Sequence, residues 1–107
     1  MDEYDVIIVG CGPAGLSASV FCGRANLKTV VLGTPEKSQM HLAMHIENYF
    51  GFPEGIDGPI LLNRGIVQAQ KFGVHFIKEY AVSVKSVDNG GKAFAIKTSK
   101  GKEISAR

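Results

Sequence analysis

The chain is predicted to be α/β, the first part of a doubly wound, mainly parallel sheet followed by a three-stranded antiparallel β-meander. Three observations carry this. The apolar run Val6 to Val9 leads straight into glycines at positions 10, 12 and 15. A helical stretch to Arg24 then returns to a second apolar run, Lys28 to Leu32, giving the strand–helix–strand rhythm of a parallel crossover. Beyond Ala81 the pattern changes to short alternating runs broken by Asp88-Asn89-Gly90-Gly91 and by Lys100-Gly101, as in consecutive hairpins.

The first unit covers residues 5–32. Asp5-Val6-Ile7-Ile8-Val9 is β-branched apart from Asp5 and too short for a helix. Gly10, Cys11, Gly12, Pro13, Ala14 and Gly15 follow at G-x-G-x-x-G spacing. The first glycine allows a tight turn, the second admits a pyrophosphate to the backbone, and the third lets helix and strand pack closely. Pro13 suits the first helical position, where a missing N–H costs nothing. The unpaired amides and positive end of that helix form an anion site. Strand before, helix after and second strand beyond make this turn a candidate dinucleotide site. Ala18, Ser19, Cys22 and Gly23 give the helix a small-sided face for close packing on the sheet. Where a ribose-binding acid is expected after the second strand, Gly33 stands instead. Glu36 is the nearest candidate, and it reads equally well as a solvated loop carboxylate.

Residues 33–57 lack a regular pattern, yet carry Met40, Met44, Ile46, Tyr49, Phe50 and Phe52, which predicts a packed, functional loop. His41 and His45 would share a face if the segment were helical, but no third ligand lies nearby, so no metal site is assigned. A second helix is expected over 59–72, with Asp57 or Gly58 as cap, Gly73 as stop, and Leu62, Ile66, Ala69 and Phe72 as its buried stripe. Gly65 inside it costs up to about 1 kcal/mol relative to alanine, implying close packing or a weak turn. A third parallel strand is expected over 74–78 and the meander over 82–106, its apolar face drawn from Val82, Val84, Val87, Phe94, Ile96 and Ile104.

At 107 residues the chain makes one small domain with a limited core. A net charge of +2 with scattered lysines gives no nucleic-acid surface. No apolar run approaches the roughly 20 residues of a membrane span. The start, Met1-Asp2-Glu3, is acidic where a secretory leader would be basic, so a cytoplasmic, soluble protein is expected. The two cysteines, Cys11 and Cys22, form neither a C-x-x-C pair nor a zinc set. Cys22 reads as a small packed side chain. Cys11 reads as a compact neighbour of the phosphates, or as a thiol whose pKa the helix terminus lowers.

Taken together these residues resemble the N-terminal FAD-binding segment of a low-molecular-weight thioredoxin reductase or a thioredoxin reductase-like flavoprotein, with its Rossmann-like fold. The resemblance runs from Tyr4 to Arg107 and rests on YDVIIVGCGPAGLSA, on ENYFGFPEGIDGP from Glu47 to Pro59, and on QAQKFGVHF from Gln68 to Phe76. It implies FAD with its pyrophosphate on Gly10, Cys11, Gly12, Pro13, Ala14 and Gly15, and its adenosine ribose toward Gly33, Thr34 and Glu36. It further implies that Ser38, Gln39 and Met40 replace a Gly-Gly-Gln-Leu stretch along the ribityl chain. Met44 and Asn48 would approach the isoalloxazine ring, and the Ala81 backbone the adenine. Two departures stand out. Ser38 replaces two glycines, and His41-Leu42-Ala43-Met44-His45 replaces a run of threonines ending in an acid, giving a more apolar flavin wall with imidazoles beside it.

The activity implied is that of an NAD(P)H-dependent flavoprotein disulfide reductase, with NADPH or NADH as reductant and a thioredoxin-like acceptor. No residue of the 107 reads as a catalytic acid, base or nucleophile, so the isolated piece is expected to be inactive. In a doubly wound order of 3-2-1-4-5 this chain supplies strands 3, 2 and 1. Val6 to Val9 is then an open edge, to be covered by the remainder of the flavoprotein or a second chain. Two other readings stay open: a non-catalytic module that pairs with a partner chain or a second copy, and a ferredoxin- or flavodoxin-type reductase lacking the dithiol.

Overall fold

The computed structural model describes residues 2–88 and 92–107. Its central strand is β3 (Thr29–Leu32), apolar apart from one threonine and buried at every position. A strand buried on both faces belongs in the middle of a parallel sheet, and β3 pairs in parallel with β2 (Val6–Val9) on one side and β4 (His75–Ile77) on the other. Helix α1 (Pro13–Arg24) connects β2 to β3, and α2 (Gly58–Lys71) precedes β4. Alternate strand residues face opposite ways. Val30 and Leu32 therefore enter one core, with Tyr4, Ile96, Ile104 and Ala106. Val31 enters another, with Leu16, Leu62, Ala69 and Val74. The first core lies against a second sheet and the second core against the two helices, so the parallel sheet is the middle of three layers.

The second sheet comprises β1 (Asp2–Tyr4), β5 (Ala81–Asp88), β6 (Lys92–Thr98) and β7 (Glu103–Ala106), in the order β1-β7-β6-β5. The expected meander is thus present as β5, β6 and β7, paired antiparallel. It is not a free three-stranded unit, because β1 adds to β7 in parallel. Asp2-Glu3-Tyr4 carries no apolar alternation, and only Tyr4 is buried, so nothing local announces the strand. The turn expected over Asp88-Asn89-Gly90-Gly91 falls in part outside the described residues. At the other hairpin Gly101 takes a positive φ of 79°. Of the face expected to be apolar, Ile96 and Ile104 are buried, while Val82, Val84, Val87 and Phe94 are exposed.

Asp5 is not part of the first strand. It sits between β1 and β2, where the chain passes from one sheet to the other. Its carboxylate accepts from the Lys28 amide at 2.8 Å and from Arg107 Nη2 at 2.7 Å. Helix α2 begins one residue before the expected start, with Asp57 in the N-cap position but making no side-chain cap bond. Leu61 joins Leu62 and Ala69 on its buried face, whereas Phe72 lies at the C-cap with the cations of Arg24 and Lys71 over its ring. Gly65 reflects close packing: a Cβ there would stand 3.1 Å from Leu16 Cδ1 on α1. On α1 itself Ser19 and Gly23 are buried as expected, but Ala18 faces outward.

The segment 33–57 is a packed loop with short regular turns. It contains 3-10 turns at Pro35–Lys37 and Gln39–Leu42 and is closed by an antiparallel bridge between Ile46 and Ile56. Ile46, Ile56 and Leu61 form a small core beneath it, packed by Met40, Ala43, Tyr49 and Phe52. Leu42, Met44 and Phe50 face outward instead, Phe50 being 99% exposed. Among the described residues no helix is long and apolar enough to cross a membrane.

Leu62, 1% exposed, lies between α1 and the sheet, so Leu62→Ala is expected to destabilise the fold by about 2–5 kcal/mol, read as a lower denaturation midpoint in urea. The Lys28 amide, and then Arg107, hold Asp5 below its ordinary carboxylate value of 3.8. A depressed carboxylate contributes stability that is present above its unfolded value and lost as pH falls through the folded one. Asp5→Asn should therefore lower stability at neutral pH and flatten the decline below pH 3.8, measured by urea titrations across the acid range.

Candidate functional site

The carboxyl ends of the parallel strands meet at one rim, and the glycines there set its shape. Gly10, just after β2, has φ of 114° and donates its N–H to the Leu32 carbonyl at 2.8 Å. Gly33, just after β3, has φ of 127° and donates to the Ile77 carbonyl at 3.1 Å. Both positive angles suit glycine because it has no Cβ to clash. At Gly33 a Cβ would also press on the Cys11 backbone nitrogen, 3.3 Å away. The two turns therefore lie side by side.

Helix α1 starts at this rim. Gly12 is its N-cap, in extended conformation, with no side-chain cap bond, and Pro13 occupies the first turn. The first amides of a helix have no intrahelical partner; here no side chain of the cap residue occupies them. Gly15 explains how the helix comes so near: a Cβ there would fall on the Gly10 carbonyl oxygen and stand 3.2 Å from Ile8 Cγ2. The third glycine of the motif is thus required by packing; at the second, a Cβ would stand 3.1 Å from the Ser38 hydroxyl.

A cleft of about 330 Å³ opens at this point. One wall is Val9, Gly10, Cys11 and Gly12; the facing wall is Leu32, Gly33 and Thr34. Lys37, Ser38, Tyr80 and Ala81 complete it. Of the residues singled out from the sequence, Gly10, Cys11, Gly12, Gly33, Thr34 and Ala81 are brought together here. Pro13, Ala14 and Gly15 lie behind the turn in α1 and are not part of the lining. Glu36 is exposed and does not line the cleft; Lys37 beside it does. Gln39, Met40, Met44 and Asn48 are also outside its lining. Met40 packs inward against both the helix-side core and the loop core, while Met44 is 77% exposed.

Lys37, Tyr80, Val9 and Leu32 were missed from sequence. Val9, Leu32 and Tyr80 follow from the rule that ligands lie beyond the carboxyl ends of parallel strands. Lys37 carried no such signal, since the 3-10 turn at Pro35–Lys37 decides which of two adjacent charged residues faces the cleft.

Of the two readings of Cys11, the electrostatics favour the compact neighbour over the activated thiol. Cys11 is 4% exposed, and burial, followed by the nearby Glu36 charge, pushes its pKa above the usual 9.0. Both effects disfavour the thiolate, so the thiol is held protonated near neutral pH. His41 and His45 do not share a helical face: His41 lies in the Gln39–Leu42 turn, and His45 lies beyond it, its ring against Gly55 and its Nε2 3.5 Å from Glu47. Among the described residues no group of three or more His, Cys, Asp or Glu could hold a metal ion.

The family described as "Pyridine nucleotide-disulphide oxidoreductase" matches residues 4–107. The chain belongs to this family. Thioredoxin reductase of Bacillus subtilis (strain 168) is 44% identical over 107 residues, covering 97% of this chain and 32% of the relative. Thioredoxin reductase of Rickettsia felis is 37% identical over 102 residues, covering 94% and 32%. Among solved structures, a thioredoxin reductase from Gloeobacter violaceus superposes with a TM-score of 0.89 at 29% identity, covering 99% of this chain and 33% of that one. The atypical thioredoxin reductase from Desulfovibrio vulgaris Hildenborough gives 0.83 at 39% identity, covering 95% and 33%. This member of the oxidoreductase family therefore spans about a third of the length of the curated relatives it matches, and corresponds to a thioredoxin reductase-like FAD-binding segment. Membership implies FAD and NADPH as cofactors. The residues present fit the phosphate-bearing part of such a group: a helix tip with no side-chain cap, glycine at its N-cap, and a cleft of about 330 Å³ beside them.

Gly15→Ala should destabilise the fold by about 3 kcal/mol, since backbone rather than a side chain must move, and denaturant titration will show it. At pH 8, Cys11 should react with a thiol reagent more slowly than the half-exposed Cys22; Cys11→Ala should leave the fast phase intact, and Cys22→Ala should remove it.

Proposed function

We propose that this chain is the FAD-binding part of an NAD(P)H-dependent flavoprotein disulfide reductase of the thioredoxin reductase type. The observation that supports this most directly is the uncapped amide cradle at Gly12, facing a cleft at the carboxyl ends of β2 and β3. The backbone around Gly10, Cys11 and Gly12 would hold the pyrophosphate through N–H groups and the positive helix terminus. Gly33 and Thr34 would flank the adenosine ribose, and the chain around Ala81 would support the adenine, as all of these line the same cleft. Lys37 would add a cation at the phosphate side. Gln39, Met40, Met44 and Asn48 are assigned to the ribityl and flavin end on the resemblance, with Ser38 bridging the two regions.

When bound, FAD supplies the hydride and electron transfer. This chain's own part is to bind and orient it and to keep a buried, protonated thiol rather than a reactive one beside the phosphates. No acid, base or nucleophile is assigned among these residues. The dithiol and the docking site for the electron acceptor are assigned to the part of the relatives' length that this chain does not span. The open edge of β2 supports that assignment: Val9 is 59% exposed, and with Val6, Ile7, Val84 and Phe94 it lines an apolar groove between the two sheets. An exposed edge with such a groove is suited to receive further strands.

The full-length protein should purify with flavin absorbance, be bleached by NADPH without oxygen, and pass electrons to a thioredoxin disulfide. Bleaching with transfer to ferredoxin or flavodoxin and none to a disulfide would overturn the disulfide reductase reading. Gly12→Val covers the helix tip with a branched side chain and should lower FAD affinity by at least tenfold while the circular dichroism spectrum is retained. Unchanged affinity would remove the glycine turn from the site.

A further inference from the structure

Ser38 stands at the meeting point of the glycine turn and the loop that follows β3, and its hydroxyl has an unusual position. A Cβ built on Gly12 would lie 3.1 Å from Ser38 Oγ, so the hydroxyl sits directly beside the backbone of the helix cap. Ser38 lines the same cleft as Gly10, Gly12 and Gly33. It also opens the Gln39–Leu42 turn, where its Oγ accepts from the Met40 amide at 3.2 Å. A serine hydroxyl has one proton to donate besides its lone pairs. The Met40 bond uses a lone pair, and among the described residues the hydroxyl acts only as an acceptor.

We propose that Ser38 donates this proton to a pyrophosphate oxygen of FAD held at the glycine turn, as a positioning residue particular to this chain. The proposal rests on the FAD reading of the cleft given above. Three features support it. The Ser38 hydroxyl and the backbone of the helix cap are close neighbours bordering one cleft, a Cβ on Gly12 lying only 3.1 Å from Oγ, so an oxyanion held at the helix tip would meet the hydroxyl as well. A hydrogen bond to a charged oxygen is about twice as strong as a neutral one. The Met40 amide, by donating to Oγ, polarises the O–H toward a stronger bond in the same direction. Lys37 also lines the cleft but is exposed; it attracts phosphate, whereas Ser38, held by its turn, sets where the phosphate rests.

The test uses the full-length protein stripped of flavin and reconstituted with FAD, with affinity read from flavin fluorescence and the pyrophosphate read by phosphorus NMR. Ser38→Ala is expected to weaken FAD about tenfold and to shift the pyrophosphate resonance, and Ser38→Thr, which keeps a hydroxyl, to restore both. Ser38→Asp retains an acceptor for the Met40 amide but sets a negative charge against the phosphate, and should weaken FAD by a hundredfold or more. Ser38→Asp that binds FAD as the natural protein does overturns the proposal, because a carboxylate beside a phosphate held there would repel it. So does an unmoved phosphorus resonance in Ser38→Ala. If the natural protein itself does not bind FAD, the reading of the cleft fails, and this proposal with it. Failure of the variants to respond, with FAD bound normally, leaves that reading standing and removes only Ser38.

Discussion

The close seat of α1 on the turn before it is the constraint from which the rest follows. Gly15 lies so near the Gly10 carbonyl that no side chain fits between them, and this brings the tip of α1 to the end of β2. A helix held a few ångströms further out would still pack on the sheet through Leu16 and Val31. Its first amides would then no longer share a rim with Gly33, whose backbone lies against Cys11. The seat of the helix tip beside the cleft is therefore a consequence of packing. Packing brings the backbone N–H groups into place, and Ser38 and Lys37 are proposed to add to them.

The same packing explains how so small a chain builds three layers. β3 contributes to both cores, its residues alternating between the helices on one side and the second sheet on the other. The second sheet is held to the first by more than apolar contact. β1 and β2 are consecutive, and Asp5 between them ties the Lys28 amide and Arg107 together, residues from the start of β3 and beyond the end of β7. One carboxylate thus links the two ends of the described chain at the place where the sheets separate. The opposite side of β2 is left open, and the apolar groove along it shares Val9 with the candidate nucleotide cleft. The edge that would receive further strands and the wall that would receive a cofactor are two faces of a single strand.

The region after β3 shows a different economy. Its small core of Ile46, Ile56 and Leu61 does not merge with the main ones, and the bridge between Ile46 and Ile56 closes it from within. Such a segment can hold its own shape while presenting Leu42, Met44 and Phe50 outward. Met40, which joins the loop core to the helix-side core, fixes where the segment sits on α2. Ser38, just before it, is thereby held over Gly12.

What the amino-acid sequence determined by itself was local in origin. The crossover of β2, α1 and β3, the roles of Gly10 and Gly15, the second helix and the strands after Ala81 all follow from periodicity and backbone permissiveness within a few neighbouring residues. The tertiary structure alone decided the rest: that Asp2-Glu3-Tyr4 forms a strand with residues a hundred positions away, that Lys37 rather than Glu36 faces the cleft, that Met40 turns inward, and that Cys11 is buried enough for its proton to be retained. Each of these depends on what lies on the far side of a residue, on desolvation or on the pitch of a short 3-10 turn. Such quantities arise only when distant segments of the chain are brought into contact.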